Sequence, residues 1–140
     1  MKFLSTSLLL ISLICTPAMA DYTPGETTEP CGDGAGRVVI GNNGKSYCKS
    51  QRNFNWWSAM SWCYGIGMEP ISINEDCTCA GEKCPQAQCP NFSLTNWSST
   101  WTANISKDNR TVVIIGGGTI SFYGNFGNPA NSYTAVCRMP

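Results

Sequence analysis

The 140-residue sequence contains no histidine, and that absence removes a large part of enzyme chemistry. Ser-His-Asp and Cys-His systems need an imidazole to carry the proton, and His-ligated metal sites need its nitrogen. Charge is scarce as well. Asp, Glu, Lys and Arg make up 13% of the chain, and nine basic residues balance nine acidic ones. Nucleic acids and anionic lipid surfaces both select for surplus Lys and Arg, so neither partner class fits a net charge of zero. Beyond the N-terminus no long apolar run exists; Val112-Val113-Ile114-Ile115 is four residues. Adjacent carboxylates occur only at Glu75-Asp76, inside a cysteine-rich stretch. Acid/base catalysis needs carboxyls placed across a substrate, so the chain reads as a non-enzyme without a cofactor.

What is present begins with a leader. Lys2 precedes a mostly apolar stretch over 3–14, and Ala18-Met19-Ala20 has the small-residue pattern of a cleavage site. Residues 1–20 are therefore expected to be a signal peptide, with Asp21 as the first mature residue. A membrane anchor is the alternative, but the run is short for a bilayer. Cys15 as a lipid-attachment site is disfavoured by the bulky Ile14 before it. Loss of Lys2 leaves eight basic against nine acidic residues, a charge of −1. Loss of Cys15 leaves eight cysteines: 31, 48, 63, 77, 79, 84, 89 and 137. An even count in an exported chain reads as a disulfide framework with 105 formal pairings. The expected location is secreted, periplasmic or cell-surface, with no membrane insertion after cleavage.

The mature chain reads as one α+β domain over 31–140, preceded by a flexible tail over 21–30 that is polar and holds two prolines. Arg37-Val38-Val39-Ile40, Gly41-Asn42-Asn43-Gly44 and Lys45-Ser46-Tyr47-Cys48 read as a hairpin, with the Asn-Gly step supplying positive φ. Cys31 and Cys48 flank it and are placed to staple it. Residues 53–65 read as the main helix, capped by Asn53 or Asn55 and stopped by Gly65 and Gly67. Trp56, Ala59, Met60, Cys63 and Tyr64 recur at helical spacing and are assigned to its buried face. A short strand is expected to carry Ile71 and Ile73 on one face. Further strands are read over 97–102, 111–115, 119–123 and 133–138, the middle two as a hairpin around Gly116-Gly117-Gly118.

Three segments together resemble the C-type lectin-like domain. Asn55-Trp56-Trp57-Ser58-Ala59-Met60-Ser61-Trp62-Cys63, with Gly67 and Ile71-Ser72-Ile73, looks like the family's first helix, its cysteine and the strand after it. Residues 97–102 look like its central Trp-containing strand. Ala135-Val136-Cys137 is similar to its closing strand. The likeness covers residues 46–138 and is nearest to the short bacterial type. It implies a Cys63–Cys137 bond between helix and last strand, which brings the domain's ends side by side. The chain-entropy model gives a loop of that length roughly 4 kcal/mol. It also implies Cys31–Cys48. For the remaining four cysteines, nested pairing (Cys79–Cys84 inside Cys77–Cys89) is favoured and interleaved pairing stays open. Sugar-binding members hold Ca²⁺ with carboxylate and amide oxygens on a long loop. Here Glu69-Pro70 is followed by Ile71, Asn128-Pro129 has no carboxylate beside it, no Trp-Asn-Asp exists, and only 103–111 separate the central strands. The resemblance therefore implies the fold without the calcium loop, and no metal is expected.

Several residues compete for a binding role. Cys77, Cys79, Cys84 and Cys89 as a four-thiolate zinc site is the alternative to two disulfides; their spacing and an oxidising compartment favour disulfides. Of the tryptophans, 56, 57 and 62 are expected to divide between core and rim, and Trp97 and Trp101 to face the core. The polar run Asn104, Ser106, Lys107, Asp108, Asn109 and Arg110 replaces the family's ligand loop and is the candidate site. Tyr123, Asn125, Phe126 and Asn131 are expected to extend it; a merely solvated connection is the alternative. Asn-x-Ser/Thr sequons at 91, 96, 104 and 109 are glycan acceptors in a eukaryotic pathway and by-products of composition in a bacterium. The expected function is a calcium-independent binding or adhesion module for a cell-surface glycan or protein. The alternatives are a structural subunit of a surface appendage or envelope assembly, and an inhibitor or toxin-like scaffold acting through 77–89.

Overall fold

A computed structural model describes residues 22–77, 88–93, 99–105, 111–115, 118–123 and 130–140; for 111–115, 122 and 123 it is the backbone that is described. The expected leader lies outside these residues. The architecture is α+β. One main helix, α1 (Trp56–Gly65), packs on a sheet of eight strands: β1 (Gly25–Cys31), β2 (Gly36–Ile40), β3 (Ser46–Phe54), β4 (Glu69–Pro70), β5 (Thr100–Ile105), β6 (Thr111–Ile115), β7 (Thr119–Tyr123) and β8 (Tyr133–Arg138). The order is β1-β2-β3-β8-β5-β6-β7. β8 is the central strand. It runs antiparallel to β3 on one side; on the other it pairs parallel with β5 and, toward its end, antiparallel with the two residues of β4. β3 and β8 thus lie side by side, with Cys48 opposite Cys137 and Tyr47 opposite Arg138.

Strand periodicity sorts the core into two faces. Ala135 and Cys137 point to α1, where they pack with Phe54, Trp56, Ala59, Met60, Cys63 and Trp101. Val136 points the other way and joins Val39, Tyr47, Ile71, Cys77, Cys89, Phe92 and Ile120. Neighbouring Val38 and Cys48 cluster with Cys31 beside the helix. Three disulfides are present: Cys31–Cys48, Cys63–Cys137 and Cys77–Cys89. The first two brace the helix face and the third the opposite face. They are pairs named from the sequence; Cys79 and Cys84 lie outside the described residues. At Gly36 an added Cβ would sit 2.8 Å from Cys48 Sγ and 3.0 Å from Cys31 Sγ, so glycine lets that bridge cross the strand.

Four details differ from expectation. The tail over 21–30 becomes strand β1 from Gly25 onward. Pairing with β2, the Cys31 bridge, a Lys49–Glu26 ion pair (2.8 Å) and a Thr27 hydroxyl bond to the Val38 carbonyl (2.9 Å) hold it down. Pro30 is tolerated because β1 is an edge. The strand expected through Ile71 and Ile73 is confined to Glu69–Pro70, and α2 (Ile73–Asp76) turns the chain away. The cause is side-chain competition for the backbone. Asp76 Oδ2 accepts from Ser72 N (2.8 Å) and Asn104 Oδ1 from Ile73 N (2.7 Å), so neither donor is left for a ladder. Ile71 and Ile73 still pack in one cluster. The strand expected over 97–102 is shifted, running from Thr100 to Ile105. Tyr64, assigned to the buried face of α1, is exposed.

Candidate functional site

The end of β3 and the start of α1 together line an open groove. Asn55 caps the helix: its backbone is extended and its Oδ1 accepts from Ser58 N at 2.8 Å. The helix then places consecutive tryptophans about 100° apart. Trp56 turns inward, and its indole N–H donates to the Thr102 carbonyl at 3.0 Å. Trp57 turns outward and is 58% exposed. The two rings meet edge to face at 4.8 Å. Ser61 and Tyr64 follow Trp57 at i+4 and i+7, which puts them on the same outward stripe.

Beneath Trp57 lies an open groove of about 680 Å³, lined by Arg52, Asn53, Phe54, Asn55, Trp57, Ser58, Ser61 and Trp62. Its floor is aromatic: Phe54 and Trp62 stack with centroids 5.8 Å apart. Its wall carries the Arg52 guanidinium, whose carbon lies 4.6 Å from the Phe54 ring centre. Its rim is amides and hydroxyls, and among the described residues no carboxylate lines it. Such a surface offers a flat apolar ring and several hydrogen-bonding groups to one ligand.

A second polar centre lies on the opposite face of the sheet and is closed. Asp76 is 2% exposed. Arg138 grips its carboxylate through two bonds, Nε to Oδ1 at 3.1 Å and Nη2 to Oδ2 at 2.7 Å. The Tyr47 hydroxyl donates to Asp76 Oδ1 at 3.3 Å and accepts from the Asn43 and Asn91 amides at 3.1 Å each. Glu69 and Glu75 pair with the outer Arg138 nitrogen at 2.9 and 2.7 Å. The hydrogen bond to Asp76 raises the Arg138 pKa further, and burial raises that of Tyr47. Both Asp76 oxygens and the Tyr47 hydroxyl are met from within the protein, which ties α2 and the loops of Asn43 and Asn91 to β3 and β8.

The sequence-derived site fares differently residue by residue. Asn104 is half-buried in β5 with its oxygen held by Ile73 N, so it anchors α2. Lys107, Asp108, Asn109, Arg110, Asn125 and Phe126 lie outside the described residues. Tyr123 ends β7, where its backbone pairs with Thr111. Asn131 is half-buried just before β8. Trp101 is fully buried and donates to the Phe54 carbonyl at 2.7 Å, as a core residue should; Trp97 lies outside. Cys77 and Cys89 are bonded to each other, which removes them from a zinc site. Of the sequons, Asn91 is buried with Nδ2 donating to Tyr47 and to the Asp76 carbonyl (3.0 Å), so the folded protein has no room for a glycan there.

Sequence reasoning missed the groove. The signal was available in the helical register. Once Trp56, Ala59, Met60 and Cys63 fill the inner face, Trp57, Ser61 and Tyr64 are left on the outer one.

Among the described residues, no helix is long and apolar enough to cross a membrane. Comparison with protein-family models, curated proteins and solved structures finds no match.

Proposed function

We propose that this protein is an exported, calcium-independent carbohydrate-binding module of C-type lectin-like fold, with its ligand seated in the groove beside Trp57. The observation that carries the reading is an indole 58% exposed above a groove walled by amides, hydroxyls and one guanidinium. A tryptophan left in water at this extent exposes apolar surface unless a ligand covers it. A sugar ring matches the place: its C–H face stacks on the indole and its hydroxyls meet the rim.

The fold part of the proposal is supported by three features. The helix cysteine is bonded to the last-strand cysteine, the last strand β8 is paired with β3 just ahead of the helix, and the N-terminal hairpin carries its own bridge. Three disulfides fit an oxidising compartment, which supports export. A structural subunit joined edge to edge is the weaker reading, because edge strand β1 presents Glu26, Glu29 and Pro30, groups that discourage strand addition.

The test is binding of residues 21–140 to a broad glycan array, with calcium and with EDTA, for the wild type and Trp57→Ala. The expected result is binding that survives EDTA and is lost in the variant. Binding abolished by EDTA would mean a calcium site and sink the calcium-independent reading. Binding retained in Trp57→Ala would move the site to the loop of Lys107 to Arg110. No binding in either buffer would overturn the carbohydrate reading.

A further inference from the structure

We infer that the sugar taken by the Trp57 groove carries a carboxylate, an inference that rests on the carbohydrate reading above. The argument is charge complementarity. Arg52 is the charged residue in the lining. The ion pairs among the described residues belong to Lys49 and Arg138, and none reaches Arg52. Its guanidinium is nonetheless held in place, lying over Phe54, which is in turn stacked on Trp62. A guanidinium has five N–H donors and no acceptor, so such a group asks for an anion of planar, two-oxygen geometry.

The rest of the lining agrees. Asn55 spends its oxygen on Ser58 N and keeps its amide donors for a ligand. Ser58, Ser61 and Asn53 can each donate. Among the described residues no Asp or Glu lines the wall, so Arg52 is the one charged side chain there and the hydroxyls and amides can turn donors toward a negative group. A bare anion would use Arg52 but leave Trp57 uncovered. A neutral sugar would use Trp57 but leave the guanidinium unanswered. A carboxylated sugar residue satisfies both, with the ring on the indole and the carboxylate forked on Arg52. Two sources share this chemistry, uronic acids and sialic acids.

The experiment is calorimetric titration of the disulfide-bonded protein with four probes at low salt. Tetragalacturonate is compared with its carboxyl-reduced form, and sialyllactose with lactose. At least one acidic probe is expected to bind about tenfold tighter than its neutral counterpart, the scale of one charge-assisted hydrogen-bonding pair. Whichever acid binds identifies the source. Arg52→Gln is expected to erase that preference, Arg52→Lys to keep part of it, and added salt to shrink it. Arg52 is exposed, and an unchanged melting temperature shows that its variants fold. Equal binding of acidic and neutral partners would overturn the inference and leave the carbohydrate reading standing. A tetraglutamate peptide bound as tightly as the acidic sugars would overturn the sugar in favour of an acidic protein segment. No binding by any probe would overturn both.

Discussion

The two faces of the central sheet are held by different chemistry. On the α1 face, Ala135 and Cys137 of β8 meet a helix through aromatic side chains, and two disulfides tie that face together. On the other face, one residue out of step, Val136 and Arg138 of the same strand meet α2 and the 3-10 turn Pro90–Phe92. There one disulfide, Cys77–Cys89, is joined by a buried carboxylate shared by Arg138, Tyr47 and Ser72 N. A covalent frame acts mainly by limiting the unfolded chain. A buried ion pair adds little net energy but is costly to break on one side. The helix face leaves Trp57 and Tyr64 more than half exposed while its frame is closed by the two disulfides. The polar face has no such surplus: both Asp76 oxygens and the Tyr47 hydroxyl are committed.

The largest expected effect comes from the frame. Replacing Cys63 and Cys137 together by alanine opens a 74-residue link, and the chain-entropy model puts the loss at roughly 4 kcal/mol. Urea unfolding monitored by tryptophan fluorescence reads it directly. A loss below about 1 kcal/mol would show that pairing of β3 with β8 already sets the chain ends in the unfolded ensemble, contrary to the model. Next comes the polar face. Asp76→Ala leaves the Arg138 guanidinium beside a hole and is expected to cost about 3 kcal/mol. The double variant Asp76→Leu with Arg138→Met should recover part of that loss, because no buried charge remains and Glu69 and Glu75 are exposed to water. If the double variant is less stable than the single one, the pair contributes net stability and the contrast between the faces is wrong.

A smaller effect sharpens the same contrast through pH. Burial raises the Tyr47 pKa above its ordinary value of 10.0, so the folded state holds the phenol proton where the unfolded chain releases it. Stability from this group is complete below pH 10 and falls as pH rises above it. Tyr47→Phe is expected to cost about 1 kcal/mol at neutral pH, since Asn43 and Asn91 lose an acceptor, and to flatten the alkaline fall. An alkaline fall of the same steepness in Tyr47→Phe would assign it to another tyrosine.

How much of this could be read beforehand follows the same division. The helix face was legible because its signals are local or paired: helical spacing of Trp56, Ala59, Met60 and Cys63, strand alternation, and cysteines whose partners a family likeness suggested. The polar face was not. Asp76 looked like half of an idle acidic pair, yet it is met by Arg138, 62 residues later. Asn91 and Asn104 read as surface sequons, and both are spent on backbone and buried side-chain groups. Nothing within a few residues of any of them indicates the partner. The strand expected at Ile73 failed for the same reason, since Asn104, 31 residues away, takes its N–H. The groove is the intermediate case. Its exposed stripe was implied by the helix register, but Tyr64 follows Met60 by four residues and that spacing assigned it to the buried face.

The smallest effect on stability is the most informative about the site. Trp57→Ala and Tyr64→Ser each remove a large ring from water, and each is expected to change unfolding free energy by less than about 0.5 kcal/mol. The two should part company on glycan binding. Trp57 lines the groove and Tyr64 does not. Loss of binding in Trp57→Ala with binding kept in Tyr64→Ser places the ligand at the β3–α1 junction. Equal loss in both would extend the contact along the whole outer stripe of α1, a footprint of seven residues along one helix edge, which suits a flat polymer chain better than one sugar residue. If Trp57→Ala instead lowers stability by about 2 kcal/mol or more, its edge contact with Trp56 carries structural weight. The indole would then be a part of the helix face that happens to be exposed, and the division between a self-sufficient frame and an exposed ligand platform would no longer hold.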